Sequence, residues 1–190
     1  AGNYTITRVF TAMDDCGNVS SATQTITIID STAPTFSFIP ENYTASCSDF
    51  HPMDEATATD NCGGVTIEVD ETTMAGDCAG EYTITRVFTA FDDCGNVSAA
   101  VSQIITIVDT TAPVFVSVPS DYTAECSDEL TMGEATATDN CGEVSISVEN
   151  TTTPGACAGN YTITRVFTAM DDCGNSSTSV QIQTITIVDT

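Results

Sequence analysis

GNYTITRVFTAMDDCGN occupies Gly2 to Asn18 and stands again, letter for letter, at Gly159 to Asn175. Between them, at Gly80 to Asn96, it recurs with two changes, Glu81 and Phe91. Its reading decides the fold. In YTITRVFTA, alternation places Tyr161, Ile163, Phe167 and Ala169 on one side and mostly threonines on the other, the two-residue period of a half-buried strand. The strand runs into a turn made of two acids, a cysteine, a glycine and an asparagine.

Other landmarks keep step with this stretch. TAP stands at 32 and 111, YTASCSD at 43 matches YTAECSD at 122, ATATDNCG occurs at 56 and 135, and CAG at 78 and 157. The period is about 79 residues, the size of one small domain. The reading is two complete repeats, 31-109 and 110-190, preceded by the C-terminal part of another, 1-30. Because Ala1 falls inside a repeat, we expect export signals to lie upstream of it.

Within a repeat, VTIEVD at 65-70 and VSISVE at 144-149 alternate Val, Ile and Val with polar residues, and TITIVD closes the unit with a β-branched run. No helical periodicity of useful length exists. Six or seven strands are expected: TAPVFVSV, YTAEC, EATATD, VSISVE, a short one near 150-156, YTITRVFTAM and QTITIVD. The predicted fold is all-β, a tandem array of immunoglobulin-like, Greek-key sandwiches stapled by disulfides.

Composition narrows the function. Asp and Glu number 27 against three arginines and no lysine, a formal net charge of -24. Nucleic acid is therefore an unsuitable partner, since binding it requires neutralising phosphates with Lys and Arg. No apolar run reaches the ~18 residues that span a bilayer as a helix, so direct membrane insertion is not expected. With one histidine, no Ser-His-Asp or Cys-His arrangement can recur, and no glycine-rich phosphate loop is present. Enzymatic activity is not expected.

Nine cysteines without a C-x-x-C pair suggest disulfides and an extracellular, oxidising setting. Cys157 and Cys173 bracket the long strand, which at ~3.3 Å per residue holds them too far apart to bond directly. Strand direction then sorts the cysteines into poles. Cys141 and Cys173 finish at one pole, and Cys126 and Cys157 share the other. The expected bridges are Cys126 with Cys157, Cys141 with Cys173, Cys47 with Cys78 and Cys62 with Cys94, leaving the partner of Cys16 upstream.

The same sorting gathers carboxylates. Asp109, Asp139, Asn140, Asp171 and Asp172 converge at the junction between repeats, as do Asp30, Asp60, Asn61, Asp92 and Asp93 one repeat earlier. Two readings stay open: junctional Ca²⁺, a hard cation that takes several oxygen ligands, or plain turn chemistry, which Asp, Asn and Gly favour. Arg165 shares the face of Ile163 and Phe167. Either a bulge turns it outward, or it is buried against a carboxylate, with Glu134 and Asp128 as candidates.

DTTAPVF, YTAECSD, ATATDNCG, CAGNYTITRVFTAMDDCGN and QTITIVD together resemble the HYR-like, immunoglobulin-like repeats carried in tandem by large surface proteins of Bacteroidota, gliding-motility adhesins exported by the type IX system among them. The resemblance covers essentially the whole chain. It implies an extracellular, cell-surface sandwich used as spacer, stalk or adhesive element, with O-glycosylation at Ser31 in DST and Thr110 in DTT. The function expected is a semi-rigid stalk of a long bacterial adhesin or filamentous appendage, joined by short linkers that Pro34 and Pro113 stiffen. Its partners are neighbouring repeats and identical chains in a filament or bundle. The alternative is a calcium-dependent module that binds surface glycans.

Overall fold

A computed structural model describes residues 2–49 and 51–189, so Ala1, Phe50 and Thr190 lie outside it. Fourteen strands and no helix are formed by the described residues: β1 Tyr4–Met13, β2 Val19–Ile28, β3 Thr35–Phe38, β4 Tyr43–Ser46, β5 Thr57–Thr59, β6 Val65–Ala75, β7 Tyr82–Asp92, β8 Val101–Val108, β9 Val114–Ser117, β10 Tyr122–Glu125, β11 Thr136–Thr138, β12 Val144–Pro154, β13 Tyr161–Asp171 and β14 Gln181–Val188.

Each repeat uses the same plan. Over 110-190, a four-stranded sheet runs β10-β14-β13-β12 beside a two-stranded sheet β11-β9; over 31-109, the orders are β4-β8-β7-β6 and β3-β5. The fold is the expected all-β sandwich. Strands number six rather than seven, because the segment near 150-156 is the second half of β12, whose antiparallel ladder with β13 is continuous from Val144↔Asp171 to Pro154↔Tyr161. Pro154 ends an edge strand, where a missing N–H breaks no ladder.

The chain divides into two compact units that cut across the repeats. The first comprises Ala1–Tyr43, Pro52–Thr72 and Ile84–Ile105, and the second Thr44–His51, Thr73–Thr83 and Thr106–Thr190. In the second unit the core lies on Ile163, Ile185 and Ile187, covered by Tyr122, Ala124, Leu130 and Tyr161, with Phe167 and Ala169 fully buried. In the first, Ile84, Phe88, Ala90 and Ile105 are buried likewise. The hairpin of β1 and β2 is different. Ile6 and Phe10, on the same face of the same sequence, remain exposed at 41% and 50%.

Arg165 and its counterpart Arg86 are buried. β13 pairs without a register shift on both sides, so no bulge turns Arg165 outward. Its Nη1 donates to the Gly133 carbonyl and to Gln183 Oε1, each at 2.8 Å, and the guanidinium lies 5.0 Å from the Phe167 ring centroid. Among the described residues neither Glu134 nor Asp128 forms an ion pair with it. A neutral amide and a carbonyl avoid the cost of desolvating a second charge. Arg86 repeats the arrangement with the Asp54 carbonyl, Gln103 and Phe88, and adds Glu71 at 3.6 Å from Nε.

Candidate metal centre

The acidic turns are built by their own side chains. At the end of β13, Asp171 Oδ1 accepts the backbone N–H of Asn175 and Oδ2 accepts its side-chain amide, at 2.8 and 2.9 Å. Gly174, at φ 88°, lets the chain turn back. The same Asn175 amide donates to the Asp109 carbonyl at 3.2 Å and so ties the turn to the linker. In the first unit, Asn96 does this with Asp92 and the Asp30 carbonyl.

Two carboxylate triads result. Asp109, Asp139 and Asp171 in the second unit, and Asp30, Asp60 and Asp92 in the first, each bring one oxygen per residue within 4.8 Å of the others. Asp109 and Asp171 are 4% and 3% exposed, Asp30 and Asp92 7% and 8%. One oxygen of each loop acid is spent locally: Asp109 Oδ1 accepts the Thr111 N–H, and Asp139 Oδ1 that of Cys141, at 3.0 and 2.9 Å. The second oxygens of Asp60, Asp109 and Asp139 are buried without a hydrogen-bond partner among the described residues.

This arrangement fits a hard cation. Charges 4.8 Å apart repel by about 3.5 kcal/mol per pair at an effective dielectric of 20, and buried carboxylate oxygens without partners add a desolvation cost. Ca²⁺ takes oxygens at roughly 2.3–2.6 Å, so two ligands across the ion stand about 5 Å apart. All donors are oxygen, which disfavours softer metals. Two further groupings, Cys47 and Cys141 with Asp109 and Cys78 and Cys173 with Glu81, have their sulfurs in disulfides and offer no thiolate.

Of the five residues expected at each junction, three converge. Asp172 Oδ2 accepts the Ala79 N–H at 2.8 Å, and Asp93 Oδ2 that of Gly64 at 3.3 Å, so the second acid of each pair serves as a backbone acceptor outside its triad. Asn61 and Asn140 turn their amides onto Cys62 and Cys141 sulfurs. The asparagines that matter are Asn96 and Asn175, which the sequence reading passed over. Their signal was the fixed offset of four from Asp92 and Asp171. Ser31 and Thr110 are exposed.

The expected disulfides need correction. Cys47 bonds Cys141 and Cys78 bonds Cys173, with Cα atoms 6.1 and 5.1 Å apart; the pairs Cys47 with Cys78 and Cys141 with Cys173 are not formed. Cys62, Cys94, Cys126 and Cys157 are unbridged, as is Cys16, so Cys62 with Cys94 and Cys126 with Cys157 are not formed either. The sorting into poles explains how this arises. Cys47 and Cys78 do share a pole, as do Cys141 and Cys173, but only five residues separate β8 from β9. The linker therefore sets the end of one repeat on the start of the next, and the bridges cross the joint. Desolvation raises the thiol of Cys62, with Asp30 and Asp60 adding to it; desolvation also raises Cys126, helped by Asp189.

Burial pushes the Asp92 carboxyl up, but hydrogen bonds from the Asn96 side chain and from the Asn96, Cys94 and Gly95 amides outweigh it, and Asp92 titrates below the usual carboxylate range. A depressed folded-state value contributes stability above the ordinary carboxylate pKa, and that stability is lost as pH falls through the folded value. Asn96→Ala should therefore move acid unfolding, followed by circular dichroism, to higher pH. An unchanged acid midpoint would show that Asn96 does not hold the charge.

Residues 114–187 match the family described as "HYR-like domain with 4 cysteines". The chain is 35% identical over 201 residues to hyalin of Lytechinus variegatus and 34% over 205 residues to hyalin of Strongylocentrotus purpuratus, matches that cover 95% and 100% of it. It spans 36% and 17% of the length of those relatives. Similar solved structures include mouse clustered PcdhgC3 EC1-3, at 15% identity, TM-score 0.40 and coverage of 100% of this chain and 78% of that one. The protocadherin GammaB4 extracellular domain gives 16%, 0.41, 98% and 39%.

Proposed function

We propose that the chain is a structural spacer of an extracellular adhesive protein, a run of sandwiches held as a semi-rigid rod by a divalent cation and by disulfides that cross the joint between repeats. The observation that carries this reading is the joint in the second unit. There the carboxylates of Asp109 and Asp171, both buried, and of half-buried Asp139 meet the Cys47–Cys141 bridge at the linker, and Cys78–Cys173 is a second bridge across the same joint. The similarity to hyalins supports an extracellular, adhesive setting. The resemblance to Bacteroidota repeats supports a bacterial surface and type IX export for this copy, with identical chains as further partners. Ca²⁺ is the cation that the all-oxygen donor set fits best.

Asp109, Asp139 and Asp171 would hold the ion, which supplies the positive charge that a chain without lysine lacks. The test is a thermal melt in EDTA and in excess CaCl₂. At a hundredfold excess over Kd, binding to the folded state alone adds about 2.7 kcal/mol, or roughly 5–10 °C for a chain of this size. Asp109→Asn with Asp139→Asn should abolish the response. An equal midpoint with and without Ca²⁺ would remove the cation, and reproducible binding of the chain to a glycan array would replace the spacer by a glycan-binding module.

A further inference from the structure

Four cysteines stand in the same local frames as the four that are bridged. Cys126 follows β10 as Cys47 follows β4, and each donates its N–H to the last residue of the neighbouring strand, Val188 at 2.8 Å and Val108 at 3.1 Å. The Cys157 carbonyl accepts the Asn160 N–H at 3.1 Å, as the Cys78 carbonyl accepts that of Glu81. Asp189 follows β14 as Asp109 follows β8, and Asp189 donates its N–H to Asn160 Oδ1 at 2.7 Å. At the other pole, Cys62 repeats Cys141: its N–H binds Asp60 Oδ1 at 2.8 Å, and the preceding asparagine amide lies on its sulfur. The Cys94 N–H binds Asp92 Oδ1 in the turn equivalent to that of Cys173.

We propose that Cys126 with Cys157, and Cys62 with Cys94, are complementary halves of the four-cysteine joint, each closed by a further repeat of the same kind. The inference rests on the spacer reading and deepens it by making the repeats one covalent ladder. Cys126 takes the place of Cys47 and bonds the cysteine of a DNCG segment; Cys157 takes that of Cys78 and bonds the cysteine of a DDCGN turn. Cys62 and Cys94 receive, in the same register, cysteines of a YTA-x-C segment and a CAG segment. Exposure of Cys62, Cys126 and Cys157 leaves three of the four open to a docking repeat.

Each bridge forms by thiol–disulfide exchange. One thiolate attacks an external disulfide, a small-molecule or oxidoreductase disulfide, and expels one of its thiols; the second cysteine thiolate then displaces the other. Two cysteine thiols are oxidised to one disulfide, the external disulfide is reduced to two thiols, and the protons pass between them without net release.

The deciding experiment is peptide mapping of the protein as isolated from its source, with free thiols alkylated before digestion and no reductant. The expected result is the Cys126 peptide joined to a DNCG peptide, Cys157 to a DDCGN peptide, Cys62 to a YTA-x-C peptide and Cys94 to a CAG peptide. Alkylated thiols at these four positions, or a bridge from Cys126 to Cys157 or from Cys62 to Cys94, would overturn the inference. Cys47–Cys141 and Cys78–Cys173 are the internal reference. If they are found while the other four are alkylated, only the ladder fails; if they too are absent, the spacer reading loses its joint as well.

Discussion

Cys78→Ser combined with Cys173→Ser should lower the melting midpoint by roughly 10–20 °C. The bridge spans 95 residues of sequence, and closing a loop of that length removes about 4.5 kcal/mol of chain entropy from the unfolded state. For a chain near 190 residues, each kcal/mol moves the midpoint by roughly 2–4 °C. A bridge within one repeat would close only about 30 residues and contribute about 3.5 kcal/mol, so the size of the effect alone discriminates weakly. A single replacement discriminates strongly. In Cys47→Ser, the thiol released to alkylation should be Cys141, some 94 residues away; release of Cys78 instead would restore the within-repeat pairing and dissolve the covalent joint.

That contrast shows where the sequence was sufficient. Alternation and strand direction placed each cysteine at the correct pole, because both are properties of one repeat. Pairing was not such a property. It depends on which pole of the next repeat the linker brings up, and the short segment between Val108 and Val114 settles that through Pro113, which is buried, and through the Asn175 amide on the Asp109 carbonyl. The acids behaved in the same way. Composition and direction brought Asp109, Asp139 and Asp171 together, but the doubled acid DD misled, since alternation along β13 sends Asp171 inward and Asp172 outward. Carried one residue past Met170, the two-residue period that identified the strand would have separated them.

Arg165 makes the point for the core. The sequence placed it on the buried face and then looked for a carboxylate, the ordinary partner of a guanidinium. The partner is Gln183, on β14, whose register against β13 pairs it with Arg165 directly. The recurrence of Arg86 and Gln103 at the matching positions was visible in the sequence, but nothing in spacing alone ties a strand to its neighbour's register.

Phe167→Ala and Phe10→Ala should differ by several kcal/mol although their seventeen-residue surroundings are identical in sequence. Phe167 is 0% exposed and lies beneath the Arg165 guanidinium, 5.0 Å from its ring centroid. Its truncation leaves a cavity, at a cost of about 3–5 kcal/mol, and removes the ring on which a buried cation rests. Phe10 is 50% exposed and has the same arginine neighbour, Arg8, 5.2 Å from its ring. Truncating it should cost less than about 0.5 kcal/mol, the range of ordinary surface changes. Denaturant unfolding of the two variants of this 190-residue chain measures the difference, and equal midpoints would mean that Phe10 is covered in solution as Phe167 is. Propensity, charge and alternation are the same at both positions, so the whole of the expected difference comes from the strands and loops that cover Phe167 and leave Phe10 bare. A strand of this repeat acquires its stability from its neighbours, and for the same reason the joints, where neighbours meet, carry the residues that matter most.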